Sequence, residues 1–290
     1  MSKQNQPFPI VECFGYDANA NTAEARAARE AKACPFAKNK CEKYRQYGFG
    51  YCSVTYAAKD DGGTRYTYAV CDHRVDGDPL HLAIKDAIGD APYVLVPEVV
   101  LRDPRTSFDY VVLADIDGKE HAVAIETQAI DLRGGGVGPA WDAWMANEPE
   151  EWRAYFTRQS LAKGRKDTVA YGVNMANIYK RLGLQVATKG TFLKAIGVKL
   201  YVVMQDRPFR YLHNRVRFRP SVGGDDWDVT FVTFEYDGTT SANGQSGFAF
   251  SQMVRTSLSE YTDALSNDHR ATEEQRDNFM RLVKQKAKRA

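Results

Sequence analysis

The chain has 290 residues, 43% of them hydrophobic and 26% charged, with a formal net charge of +2 at pH 7, a composition ordinary for a globular protein with ample core. No apolar stretch reaches the ~20 residues that span a bilayer. The opening MSKQNQPFPI lacks the charged-then-apolar pattern of a secretory signal, so a cytoplasmic location with no membrane partner is the expectation. In chain order, Thr22 to about Lys32 reads as an alanine-rich helix, capped by Asn21 or Thr22 and stopped at Pro35. Loops and short strands follow, among them Thr64 to Val70, then a short helix from Leu80 to Ile88. Ala91 to Leu101 suits helix or strand. Phe108 to Asp115 and Glu120 to Gln128 read as two strands around an Asp117-Gly118 turn. Helices are expected at 149–163, 168–182 and 188–196, and the apolar run Lys199 to Asp206 reads as a central strand. Asp228 to Tyr236 reads as another strand, and helices near 256–266 and 272–288 close the chain.

This order predicts an α/β (α+β) fold with a mixed central sheet flanked by helices. The expected division is residues 1–80, an N-terminal helix with a cysteine-rich subdomain, and residues 81–290, a larger domain.

The hairpin carries the chemistry. If Asp117-Gly118 is a two-residue turn, Ile116 pairs with Lys119, and counting outward sets Asp109 opposite Glu126 on one face, Cβ atoms roughly 5 Å apart. A one-residue slip would send Glu126 to the other face. Like charges so placed repel, which calls for a cation between them. Two carboxylates with main-chain and solvent oxygens suit magnesium beside a phosphate, the pattern of metal-dependent phosphodiester cleavage. Gln128 shares the face by strand alternation.

Four of the five cysteines, Cys34, Cys41, Cys52 and Cys71, fall in one region, separated by six, ten and eighteen residues. A reducing compartment disfavours disulfides, and residues 41–75, rich in Gly and Tyr, supply little aliphatic core, so four thiolates converging on one structural ion is the expectation. Thiolate chemistry alone leaves iron and zinc open. Cys13 stands outside as a packed thiol.

Positive charge is unevenly placed. Arg153, Arg158, Lys163, Arg165 and Lys166 cluster in one stretch, and Arg281, Lys284, Lys286, Lys288 and Arg289 in the tail. A third group, Arg207, Arg210, Arg215, Arg217 and Arg219, is interleaved with Phe209, Tyr211 and Phe218. Arginine suits phosphate and guanine, so the third group and Arg133, beside the glycine run Gly134 to Gly136, are candidate DNA-binding residues. None of the five histidines shares a motif with another.

Glu98, Phe108-Asp109-Tyr110 and Glu126-Thr127-Gln128 resemble the catalytic core of the PD-(D/E)XK restriction endonucleases, in the variant with glutamine at the usual lysine position. Cys34-Pro35-Phe36, Cys41, Cys52-Ser53-Val54 and Cys71 look like the four-cysteine metal module of NotI-type enzymes. The resemblance spans roughly residues 30–130. It implies a type II restriction endonuclease that binds double-stranded DNA at a palindromic, G/C-rich site as a homodimer and cuts both strands with magnesium, leaving 5′-phosphate ends. It further implies structural iron on the four cysteines and a cognate DNA methyltransferase in the host. In residue terms, Asp109 and Glu126 would hold magnesium with the Thr127 carbonyl as a third ligand. Gln128 would orient water, and Glu98 would ligate through water, complete a second metal site or be an ordinary helix-terminal acid. Without lysine at 128, a second metal or the phosphate next to the cut would have to take up the proton, with Lys163 and Lys166 as further candidates to reach in. The alternative from another class is a non-enzymatic, metal-stapled DNA-binding protein, for which Asp109 would be dispensable; a redox protein using the cysteine-bound metal is a third.

Overall fold

A computed structural model describes residues 7–57, 62–133, 136–164, 171–223, 226–267 and 272–288. The N-terminal part contains β1 (Ile10–Cys13), β2 (Tyr16–Asp17), α1 (Ala23–Ala31), β3 (Ala33–Cys34), β4 (Asn39–Lys40), α2 (Glu42–Tyr47), β5 (Tyr51–Ala57) and β6 (Arg65–Ala69). Next come α3 (Asp78–Ile88), β7 (Tyr93–Arg102), β8 (Arg105–Ile116), β9 (Lys119–Gln128), β10 (Leu132–Arg133), α4 (Gly138–Met145), α5 (Trp152–Ala162) and β11 (Gly172–Val173). The short α6 (Met175–Asn177) runs through a π-helical turn, Ile178–Gly183, into α7 (Leu184–Ala195). β12 (Lys199–Gln205), α8 (Asp206–Val216), β13 (Val229–Thr240), β14 (Ser246–Thr256), α9 (Leu258–Asn267) and α10 (Glu273–Ala287) complete the chain.

The central sheet is mixed and six-stranded, in the order β14-β13-β12-β9-β8-β7. β12 lies at its heart, parallel to both β9 and β13, while the outer pairs are antiparallel. A strand with parallel neighbours must be apolar on both faces, because helices cover both. Accordingly Leu200, Val202 and Met204 pack with Ile178, Leu182, Phe209 and Leu212 on one face, and Tyr201 and Val203 with Leu80 and Ile84 of α3 on the other. The smaller antiparallel sheet, β2-β1-β5-β6, packs its core residues into the first of these clusters.

Local signals explain most elements. Thr22 caps α1, its hydroxyl accepting the Ala25 N–H at 3.1 Å, and Lys32 ends the helix in the left-handed conformation. Ala91 to Leu101 resolves as strand, since β7 pairs along its length with β8. The helix expected over 168–182 starts late: Gly172 and Val173 pair with Arg133 and Leu132, and helix begins at Met175. The arginine-rich stretch after β12 holds a helix not anticipated from its charge, α8, which buries Phe209, Leu212 and Val216 at helical spacing.

One buried cluster joins the two sheets. Glu12 of β1 is fully buried, its carboxylate accepting the Arg74 Nε–H at 2.9 and 3.0 Å and the Tyr236 hydroxyl of β13 at 2.7 Å. Arg74 also donates to the Ser246 carbonyl and stacks on Phe248, 4.2 Å from the ring centroid.

Candidate active site

The hairpin forms in the expected register, from Ile116↔Lys119 at the turn to Tyr110↔Ile125. Asp117 and Gly118 both take positive φ, 54° and 74°, as a type I′ turn requires. One step beyond the last ladder pair, the Asp109 side chain replaces its backbone as partner, Oδ2 accepting the Thr127 N–H at 2.9 Å. Asp109, Glu126, Thr127 and Gln128 all line one cavity of about 280 Å³ at the C-terminal end of β9.

Glu126 is only 5% exposed. Its Oε2 accepts from Lys189 Nζ of α7 at 2.5 Å, while Oε1 is buried without a hydrogen-bond partner. Burial raises its pKa from 4.5 to about 7, and the Asp109 carboxylate adds to the rise, with Lys189 opposing. Asp72 lines the same cavity, its Oδ1 accepting the Ala129 N–H at 2.7 Å. Its pKa is raised by desolvation and by Asp109. Lys189 and Arg181, the latter paired with Asp131 at 3.0 Å, are thus outnumbered by four carboxylates, Asp72, Asp109, Glu126 and Asp131, with an orphaned buried oxygen among them. These are hard oxygen donors with an excess of negative charge, which fits a magnesium ion.

Lys189 and Asp72 escaped the sequence reading. Lys189 lies 63 residues from Glu126 and meets it only because α7 packs back across the sheet face. The absent lysine at 128 was the signal that a cation would come from elsewhere. Lys163 does not line the cavity, and Lys166 lies outside the described residues. Gln128 is in place, its side-chain amide donating to the Ala129 carbonyl. Glu98 is across the ladder from Asp109, between the Pro97↔Tyr110 and Val99↔Phe108 pairs, but is exposed, has a φ of 51° and does not line the cavity.

Cys34, Cys41 and Cys52 are buried and Cys71 partly so. Each of Cys34, Cys52 and Cys71 has its thiol pKa raised by burial, that of Cys71 to about 12, and each feels at least one other cysteine of the set electrostatically, Cys71 both Cys34 and Cys41. The N–H groups of Phe36 and Ala37 point at the Cys34 sulfur, and that of Gly15 donates to Cys52 Sγ at 3.2 Å. N–H groups aimed at sulfur stabilise thiolate, and a bound ion would deprotonate thiols that burial alone keeps neutral, so the set fits a soft metal. Among the described residues no group of three or more His, Cys, Asp or Glu side chains has the geometry of a formed metal site. Cys13 is packed in the core.

The candidate DNA-binding arginines separate into two places. Arg133, Arg207 and Arg210 line a groove of about 950 Å³ between β6, α8 and β13. Arg215, Arg217 and Arg219 surround another hollow, shared with Glu260 and Asp263, where Arg219 pairs with Glu260 at 3.3 Å. Arg165 and Arg289 lie outside the described residues.

No protein-family model matches the chain, and no curated protein matches it significantly. No described helix is long and apolar enough to cross a membrane.

Proposed function

We propose that this protein is a magnesium-dependent type II restriction endonuclease that cuts both strands of a palindromic, G/C-rich duplex site, leaves 5′-phosphate ends and acts as a homodimer on a PD-(D/E)XK-like core. The observation that carries the reading is the shared cavity of Asp109 and Glu126, with its unpartnered Oε1. When bound there, magnesium supplies a water of lowered pKa and neutralises charge on the scissile phosphate. Asp109, Glu126 and the Thr127 carbonyl are the residues to hold it. Gln128 can orient the water but carries no charge. Lys189 brings to the cavity the positive charge that a lysine at 128 would have supplied, and its ammonium can stabilise the developing phosphorane charge. Under the same reading Cys34, Cys41, Cys52 and Cys71 hold structural iron, with zinc as the alternative, and Arg133, Arg207, Arg210, Arg215, Arg217 and Arg219 face DNA. The edge strand β7, with Val94, Val96 and Val100 exposed, supports a second copy as partner.

The test is incubation with long, sequence-diverse duplex DNA, with magnesium or with chelator. Discrete fragments with magnesium alone, lost in Asp109→Ala, are the expected result. Binding without cleavage would replace the reading with the non-enzymatic DNA-binding alternative, and elemental analysis separates iron from zinc.

A further inference from the structure

The groove is built unlike a surface for paired DNA. Tyr56 and Tyr66 are direct cross-strand partners on β5 and β6, and Tyr68 follows two residues on, so three phenol rings leave one face of the small sheet. All three line the groove together with Tyr211 of α8; Tyr68 is fully buried at its floor, while Tyr56, Tyr66 and Tyr211 are partly exposed. The Arg207 guanidinium lies over the Tyr66 ring, 3.0 Å from its centroid. The acids beneath are occupied internally. Asp206 accepts from Thr233 Oγ1 at 2.9 Å, Gln252 Nε2 at 2.6 Å and Arg210 Nε at 2.5 Å. Glu235 accepts from Gln205 Nε2 at 2.7 Å and the Arg207 N–H at 2.8 Å. What the groove presents outward is therefore aromatic and cationic, with Arg133 and Arg210 exposed at its rim.

Faces of aromatic rings bind bases that have left a stack, since a paired base already has its two faces covered. Guanidinium groups beside them suit the attached phosphate. The groove's volume falls in the range of small-ligand sites. Its position also matters. Gln128 of the acidic cavity pairs with Met204, and Arg207 follows three residues later, at most about 11 Å of chain. On the other side Asp131 lines the cavity and Arg133 the groove. Both hollows thus open at the end of the sheet where β9 and β12 finish.

From this juxtaposition we propose that the tyrosine-arginine groove binds an unstacked nucleotide, supplied by a DNA strand that continues into the carboxylate cavity. The inference rests on the reading of the protein as one that acts on DNA. Its ligand chemistry is a base with its 5′-phosphate, which a free nucleotide also offers.

The experiment measures fluorescence anisotropy in chelator, so that nothing is cut, with an end-labelled single strand of about 12 nucleotides, the same strand annealed to its complement, and a nucleoside 5′-monophosphate as competitor. The expected result is tighter binding of the single strand than of the duplex it forms with its complement. That binding weakens about tenfold in Tyr66→Leu and is retained in Tyr66→Phe, which keeps the ring. Arg133→Ala, an exposed change that spares the fold, is expected to weaken the single strand and flatten its salt dependence. Competition by the monophosphate at concentrations comparable to the strand assigns the groove to free nucleotide. Equal affinity of Tyr66→Leu and the wild type for the single strand, or no binding of either ligand, overturns the proposal. Magnesium-dependent cutting of long duplex by the wild-type protein is scored in parallel, so that a failed groove and a failed nuclease are separate results.

Discussion

Glu126 concentrates the tension of the molecule in a single carboxyl group. With its pKa at about 7 against 4.5 in the unfolded chain, the native state holds the extra proton between those values, so stability falls as pH rises through that window. Glu126→Gln removes the penalty. Denaturant midpoints measured from pH 4 to 8 should decline less for the variant than for the wild type, while magnesium binding, read by calorimetry at pH 8, should be lost. Lys189 opposes the rise. Lys189→Met should therefore push the Glu126 pKa higher, and under the proposed nuclease function the acidic limb of the pH-rate profile with magnesium should move to higher pH along with a loss of rate. An unmoved limb would mean that Lys189 is not what holds Glu126 ionised.

At the level of elements, capping and turn chemistry decide where the chain bends. Thr22→Ala should cost about 1 kcal/mol through loss of the α1 cap, measurable by urea unfolding. Such local rules made α1, the Asp117-Gly118 hairpin, β12 and the placing of Asp109 and Glu126 at one end of that hairpin legible, because each is specified within some 20 residues of sequence. The late start of helix after β11 was not legible, since Gly172 and Val173 are held by a strand some 40 residues away. α8 was hidden differently: its apolar stripe was present in Phe209, Leu212 and Val216, but five arginines from 207 to 219 drew attention to charge. Half of the acidic cavity is likewise nonlocal. Asp72 accepts from the Ala129 N–H 57 residues on and Lys189 meets Glu126 across 63 residues, so only tertiary packing brings them in.

Across the whole molecule, the buried trio Glu12, Arg74 and Tyr236 links the small sheet to the central one. Removing one partner of such a pair leaves an uncompensated charge, so Arg74→Met should destabilise by about 3–5 kcal/mol, and combining it with Glu12→Gln should recover part of the loss in equilibrium denaturation. Tyr236 belongs at once to this tie and to the groove wall. The strut that braces the two layers therefore also sets the gap between them, before any occupant arrives. For the nucleotide site proposed above, one wall is thus anchored through Tyr236 to a buried ion pair before any ligand binds.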